Sequence, residues 1–235
     1  MPIHKTKNNM AKLIVMKNSK WDKKAQEEWL GKNLVFDGIT NQKRFEKANP
    51  KILWILKEAN KGEGKDDWWD HREFHEDVSR YPRWPRTYQP IIWTAYGLLN
   101  KCYAWSDLPQ INEKALINGK NVLEDIAIIN INKKGGSSSS YQATIDKEYA
   151  DHKKFLTDQI SEINPDIIIN SSGVFDLFTD FVPEENQRCF DDKIWYGKTK
   201  AGKFFIHYYH PNRRVKGFTD ELYCNHIFDI VKELH

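Results

Sequence analysis

Ile52-Leu53-Trp54-Ile55-Leu56 runs without a break into Lys57-Glu58-Ala59-Asn60. Five consecutive apolar positions suit a strand covered on both faces, and the abrupt change to charged and amide residues marks its exit towards solvent. The same pattern recurs three times. Ile126 to Ile131 carries Asn130 and leads into Asn132 and Lys133; Asp166 to Ile169 leads into Asn170-Ser171-Ser172-Gly173; and Lys203 to Tyr209 leads into His210-Pro211-Asn212-Arg213-Arg214. Helical patterns separate these runs. Pro90 suits the first turn of a helix from Ile91 to about Cys102. Ile145, Tyr149, Leu156, Ile160 and Ile163 fall on one helical face that Asn164-Pro165 ends. After Thr219 or Asp220 as N-cap, Leu222, Ile227, Ile230, Val231 and Leu234 mark a last helix. Strand alternating with helix predicts an α/β fold, a three-layer α/β/α sandwich around a central four-stranded parallel sheet.

The 235 residues suffice for one substantial core, and with no fixed-period repeat or linker they read as a single domain over 1–235. Its first fifty residues form a helical extension with an amphipathic helix around Trp21 to Leu30. No apolar run approaches the roughly 18 residues of a membrane span, and Leu13 to Met16 is too short for a signal peptide, so a cytoplasmic protein without membrane contact is expected. Cys102, Cys189 and Cys224 lie too far apart for a local disulfide framework, zinc site or iron–sulfur site, and no cofactor is expected.

Charge is balanced overall, 36 Lys/Arg against 33 Asp/Glu, but unevenly placed. Residues 1–50 carry a net +6, and residues 187–216 hold eight basic side chains against Asp191 and Asp192 alone. Such a segment is either a solvated face or a surface that tracks phosphates. Residues 66–90, rich in aromatics, are long for a structureless connection and suggest a functional loop or an aromatic sub-core.

Several sharper motifs fail on spacing. Gly62-Glu63-Gly64-Lys65 lacks the spacing and the Ser/Thr of a phosphate-binding loop. Ser172 lacks both flanking glycines of a nucleophile elbow. His71 and His75 are one helical turn apart, but Glu73 is misplaced for the zinc-protease pattern. What remains is the four strand ends. A carboxylate, an amide, a serine–glycine turn and an imidazole converge there, where open parallel sheets bind ligands.

Those strand ends resemble the uracil-DNA glycosylase superfamily over about residues 50–216. Glu58-Ala59-Asn60 is similar to the G-E-x-P-G water-activating loop of some branches, with Lys57 and Lys61 replacing the glycines and Asn60 the proline. Asn130, with Lys133 three residues on, resembles the strand carrying the uracil-reading asparagine, and His210-Pro211-Asn212 resembles the H-P-S histidine loop. The resemblance implies a monofunctional DNA glycosylase of base excision repair, without an iron–sulfur cluster, acting on single- or double-stranded DNA and needing no obligate protein partner. In a bacterium it would be associated with the nucleoid. Glu58, Asn60 and His210 would be catalytic. Asn130 would read a flipped base stacked on Phe74 or Trp69, and Arg213, Arg214, Asn212, Ser172 and Lys133 would hold DNA, one of the two arginines filling the vacated stack. Two other readings stay open: a non-catalytic nucleic-acid-binding module on this fold, and an unrelated α/β hydrolase or nucleotide-binding enzyme using Ser172 or the Gly62 loop.

Overall fold

The computed structural model describes residue 30 and residues 34–60, 69–76, 86–112, 114–136, 140–191, 193–213 and 215–234. All four expected strands form: β3 (Ile52–Asn60), β5 (Ala127–Gly136), β6 (Ile167–Asn170) and β9 (Phe204–His207). They are mutually parallel in the order β5-β3-β6-β9. Their apolar runs divide between the two faces as period-2 alternation requires. On β3, Ile52, Trp54 and Leu56 enter one core, and Leu53 and Ile55 enter the other.

The sheet is larger than expected. It has seven strands and is mixed, which corrects the four-stranded parallel sheet. β2 (Gly38–Ile39) pairs antiparallel with β5 at one edge; at the other, β8 (Ile194–Lys198) pairs antiparallel with β9 and β7 (Arg188–Phe190) with β8. A separate two-stranded pairing joins β1 (Val35–Phe36) to β4 (Trp69–Asp70). The β7–β8 hairpin lies inside the basic segment, where lysines and arginines at the strand ends hide its short alternation.

Helices cover both faces. α2 (His71–Glu76), α3 (Tyr88–Asn100) and α6 (Asp220–Leu234) pack on one; α1 (Gln42–Lys47), α4 (Gln142–Ile163) and α5 (Phe175–Phe181) pack on the other. α3 begins two residues before Pro90, so the missing N–H falls in the first turn. α4 buries all five expected residues together with Phe155, and non-helical angles at His152 account for the long gap between Tyr149 and Leu156. It ends at Asn164, left-handed at φ 48°, whose N–H returns to Ile160 O. Thr219 caps α6, its Oγ1 accepting from Leu222 N at 3.1 Å. Leu222, expected in the core, is only half-buried, while Tyr223 and Cys224 are fully buried.

The expected helical extension over residues 1–50 lies largely outside the described residues. Its described part departs from that expectation, contributing β1, β2 and the short α1. Gly38, at φ 135° where side chains are rarely tolerated, opens β2. The intervening Asp37 is buried against β5.

Candidate functional site

The next described helix after β3, α2, packs on the α3 face, and the helix after β6, α5, packs on the opposite face. These adjacent strands therefore define the point where connections diverge to opposite faces, the usual place for a ligand crevice. A pocket of about 460 Å³ opens there, lined by Lys57 within β3, Ser140 before α4, Ser171 and Gly173 after β6, His207 at the end of β9, and Tyr208 to His210, Asn212 and Arg213 beyond it, with Lys193 also on its wall. No carboxylate is among its described lining residues.

Two neutral imidazoles face this pocket. Burial and the nearby Lys57 ammonium hold His210 at about 4, and burial holds His207 at about 4. His210 Nδ1 accepts from Asn212 N at 3.2 Å, and His207 Nδ1 accepts from Asn170 Nδ2 at 3.1 Å. With Nδ1 an acceptor and the ring neutral, the proton of each histidine resides on Nε2. Each thus presents an N–H donor rather than a base. Arg213 lays its guanidinium 3.6 Å over the Tyr209 ring, which leaves its in-plane N–H groups available.

Glu58 lies beside the pocket. One carboxylate oxygen accepts from the pocket-lining Ser140 Oγ at 2.6 Å, the other from Asn132 Nδ2 at 2.9 Å. The carboxylate packs against Gly136, where a Cβ would come within 1.9 Å of its carboxyl carbon. A side chain at position 136 would take the space that Glu58 uses. Of the expected site residues, His210, Asn212 and Arg213 line this pocket, and Glu58 reaches it through Ser140.

Asn130 and Phe74 meet elsewhere, in a closed cluster beyond β5. Asn130 is fully buried; its backbone N–H and its Nδ2 both donate to Asp37 Oδ2, at 2.7 and 3.2 Å. Nδ2 also reaches His71 Nδ1 at 3.3 Å, and the His71 ring stacks on Phe74 at 5.6 Å between centroids. The amide nitrogen can only donate, so His71 Nδ1 accepts and, with burial holding the ring at about 4, Nε2 carries the proton. It donates to Tyr88 Oη at 2.9 Å; Tyr88 Oη donates to His75 Nε2 at 3.1 Å; and His75 Nδ1 faces Thr40 Oγ1 at 3.5 Å. Burial lowers His75 as well, so the chain of donors runs one way through two neutral rings. Asn130 Oδ1 is left without a partner, a buried acceptor that calls for an explanation.

Two expected DNA contacts are corrected. Lys133 is buried, its Nζ bound to Asp37 Oδ1 at 2.6 Å and to Gln159 Oε1 at 2.9 Å, so no phosphate reaches it. Desolvation lowers its pKa, an effect that Asp37 opposes. Ser172 is also fully buried. Its Oγ donates to Asn170 Oδ1 at 2.6 Å and accepts from Val174 N at 3.2 Å, which makes it a turn-former, neither a DNA contact nor a nucleophile paired with an imidazole. Asn60 ends β3 with its backbone paired to Gly136, and Trp69 pairs with Val35; the side chains of both lie outside the described residues, as do Arg214, the Gly62 loop and most of Trp21 to Leu30.

Sequence reasoning missed Asp37 and His207. His207 had a signal, since it lies three residues before His210 near the end of an apolar run. Asp37 had none: its partner Lys133 lies 96 residues away. Comparison with family models, with curated proteins and with solved structures returns no significant match.

Proposed function

We propose that this protein hydrolyses the N-glycosidic bond of uracil or a related deaminated or damaged base in DNA. The observation that carries the reading is the His210 imidazole, neutral and tautomerically fixed, in a pocket lined by Lys57, Lys193 and Arg213 beside Glu58. A neutral N–H donor stabilises the charge that gathers on a base oxygen as the base leaves, without giving up a proton beforehand. The Glu58 carboxylate orients water and takes its proton as the water bonds to the anomeric carbon, while the glycosidic electron pair departs with the base. Asn130, expected to read the base, is closed into the separate cluster beyond β5 with its Nδ2 committed to Asp37 and His71, and it has no part in this pocket. Lys57 and Arg213 offer positive charge to the DNA backbone.

Base release from single- and double-stranded oligonucleotides carrying uracil, hypoxanthine or xanthine tests this. Wild-type protein is expected to leave abasic sites, and Glu58→Ala and His210→Ala to slow release by roughly 10²- to 10⁴-fold. Folded wild-type protein that releases none of the three bases overturns the reading.

One observation favours a second reading, a nucleic-acid-binding module without catalysis. His71 already stacks on Phe74 and accepts from Asn130, the two contacts a flipped base would make. Binding that weakens steeply with salt and leaves no abasic sites would select this reading.

A further inference from the structure

Large hydrophobic side chains exposed among the described residues are Tyr141, Phe175 and Val215. Each stands within two residues of a pocket-lining position: Tyr141 follows Ser140, Phe175 follows Gly173 by two, and Val215 follows Arg213 by two. Apolar exposure on the described surface is therefore gathered around one crevice whose charged lining residues are Lys57, Lys193 and Arg213.

Tyr141 and Phe175 flank a common seam. Gln142, the first residue of α4, donates from Nε2 to Ser172 O at 3.3 Å, and a Cβ on Gly173 would lie 2.5 Å from Gln142 Oε1. The φ of 79° at position 173 favours glycine, and the hydrogen bond holds the start of α4 against the turn before α5. Phe175 is held on its buried side, edge-on to His207 at 5.4 Å and to Trp195 at 5.5 Å, yet remains 38% exposed; Tyr141 is 81% exposed. Separate aromatic rings among cations do not form the continuous apolar patch of a protein interface. They match an unpaired polynucleotide, whose bases have free faces and whose phosphates recur between them.

We propose that this rim binds single-stranded nucleic acid, with unpaired bases stacking on Tyr141 and Phe175 and phosphates lying against Lys57, Lys193 and Arg213. The inference rests on reading the pocket as a nucleic-acid site, and it adds a strand preference. In a duplex each base face is covered by its neighbours, so these rings gain nothing from stacking.

Fluorescence anisotropy with a labelled oligothymidylate, the same strand in a duplex, and an abasic strand of equal length tests the rim without requiring catalysis. The single strand is expected to bind at least tenfold tighter than the duplex. Tyr141→Ala and Phe175→Ala should each weaken it roughly 5- to 150-fold, with little effect on the abasic strand. Tyr141→Phe should retain wild-type affinity, whereas Lys193→Ala should weaken all three. Tyr141 is mostly exposed, so its alanine variant is expected to fold normally. Equal affinity for single strand and duplex, or Tyr141→Ala indistinguishable from wild type, overturns the rim. Tight, Tyr141-dependent binding without base release upholds the rim and overturns the glycosylase reading. Base release with a duplex preference does the reverse, and absence of nucleic-acid binding overturns both.

Discussion

Lys133 shows what one residue's surroundings can do to its meaning. Three positions after an amide at a strand end, a lysine suggests a hand extended to phosphate. In the folded chain its ammonium is enclosed with Asp37, which also receives both Asn130 donors and the Gln159 amide at 3.3 Å. Removing one member of such a pair leaves the other charged and unsolvated, so Lys133→Met is expected to destabilise the fold by about 3–5 kcal/mol. Urea denaturation measures this; a loss under about 1 kcal/mol would mean that the pair is hydrated. Gly136 makes the opposite case, a residue without a side chain that fixes the place of a neighbour. Gly136→Ala collides only with the flexible end of Glu58. Stability should stay within about 1 kcal/mol of wild type, while base release falls towards that of Glu58→Ala. Undiminished release by the alanine variant would remove Glu58 from the reaction.

Elements were legible where burial is two-sided. A strand covered on both faces must be apolar at nearly every position, so the four parallel strands stand out as runs, and α4 stands out through the spacing of its buried face. The edge strands gave no such run. β2 is two residues long, and β7 begins at the exposed Arg188 and Cys189. Their strand character comes from pairing with a neighbour, which no local pattern encodes. The contact between α3 and α6 is similarly invisible until the chain folds. At Gly97 a Cβ would meet the Phe228 ring at 2.4 Å and Cys102 O at 2.7 Å. Gly97→Ala should therefore separate these helices, and thermal unfolding should show about 1–3 kcal/mol of destabilisation despite alanine's better helix propensity. A stabilised variant would show that the ring moves aside freely.

Across the whole molecule, histidine burial sets a dependence on pH. His71, His207 and His210 are each held at about 4 by desolvation, against about 6.5 in the unfolded chain. Between those values the unfolded chain binds more protons than the folded one, so stability falls as pH falls. It is fully present above about 6.5 and is lost progressively towards 4, with each histidine adding up to about 1.4 kcal/mol per pH unit. Urea midpoints at pH 7.5, 5.5 and 4.5 should decline in that order, and a flat profile would show that these rings are protonated without cost. Of the candidate site, the strand ends could be foreseen because they interrupt apolar runs. The enclosure of Asn130 could not, since Asp37 and His71 reach it from two separate segments and Tyr88 backs His71 from a third. The divergence of β3 and β6 has a mechanical consequence. Lys57 stands on the sheet itself, within β3, and Ser171 and Gly173 belong to the connection that joins the α5 layer, so the two walls of the crevice ride on different slabs. Sliding one slab over the other by an ångström alters the gap between those walls directly. Repacking either core far from the crevice should therefore register as a change in its width.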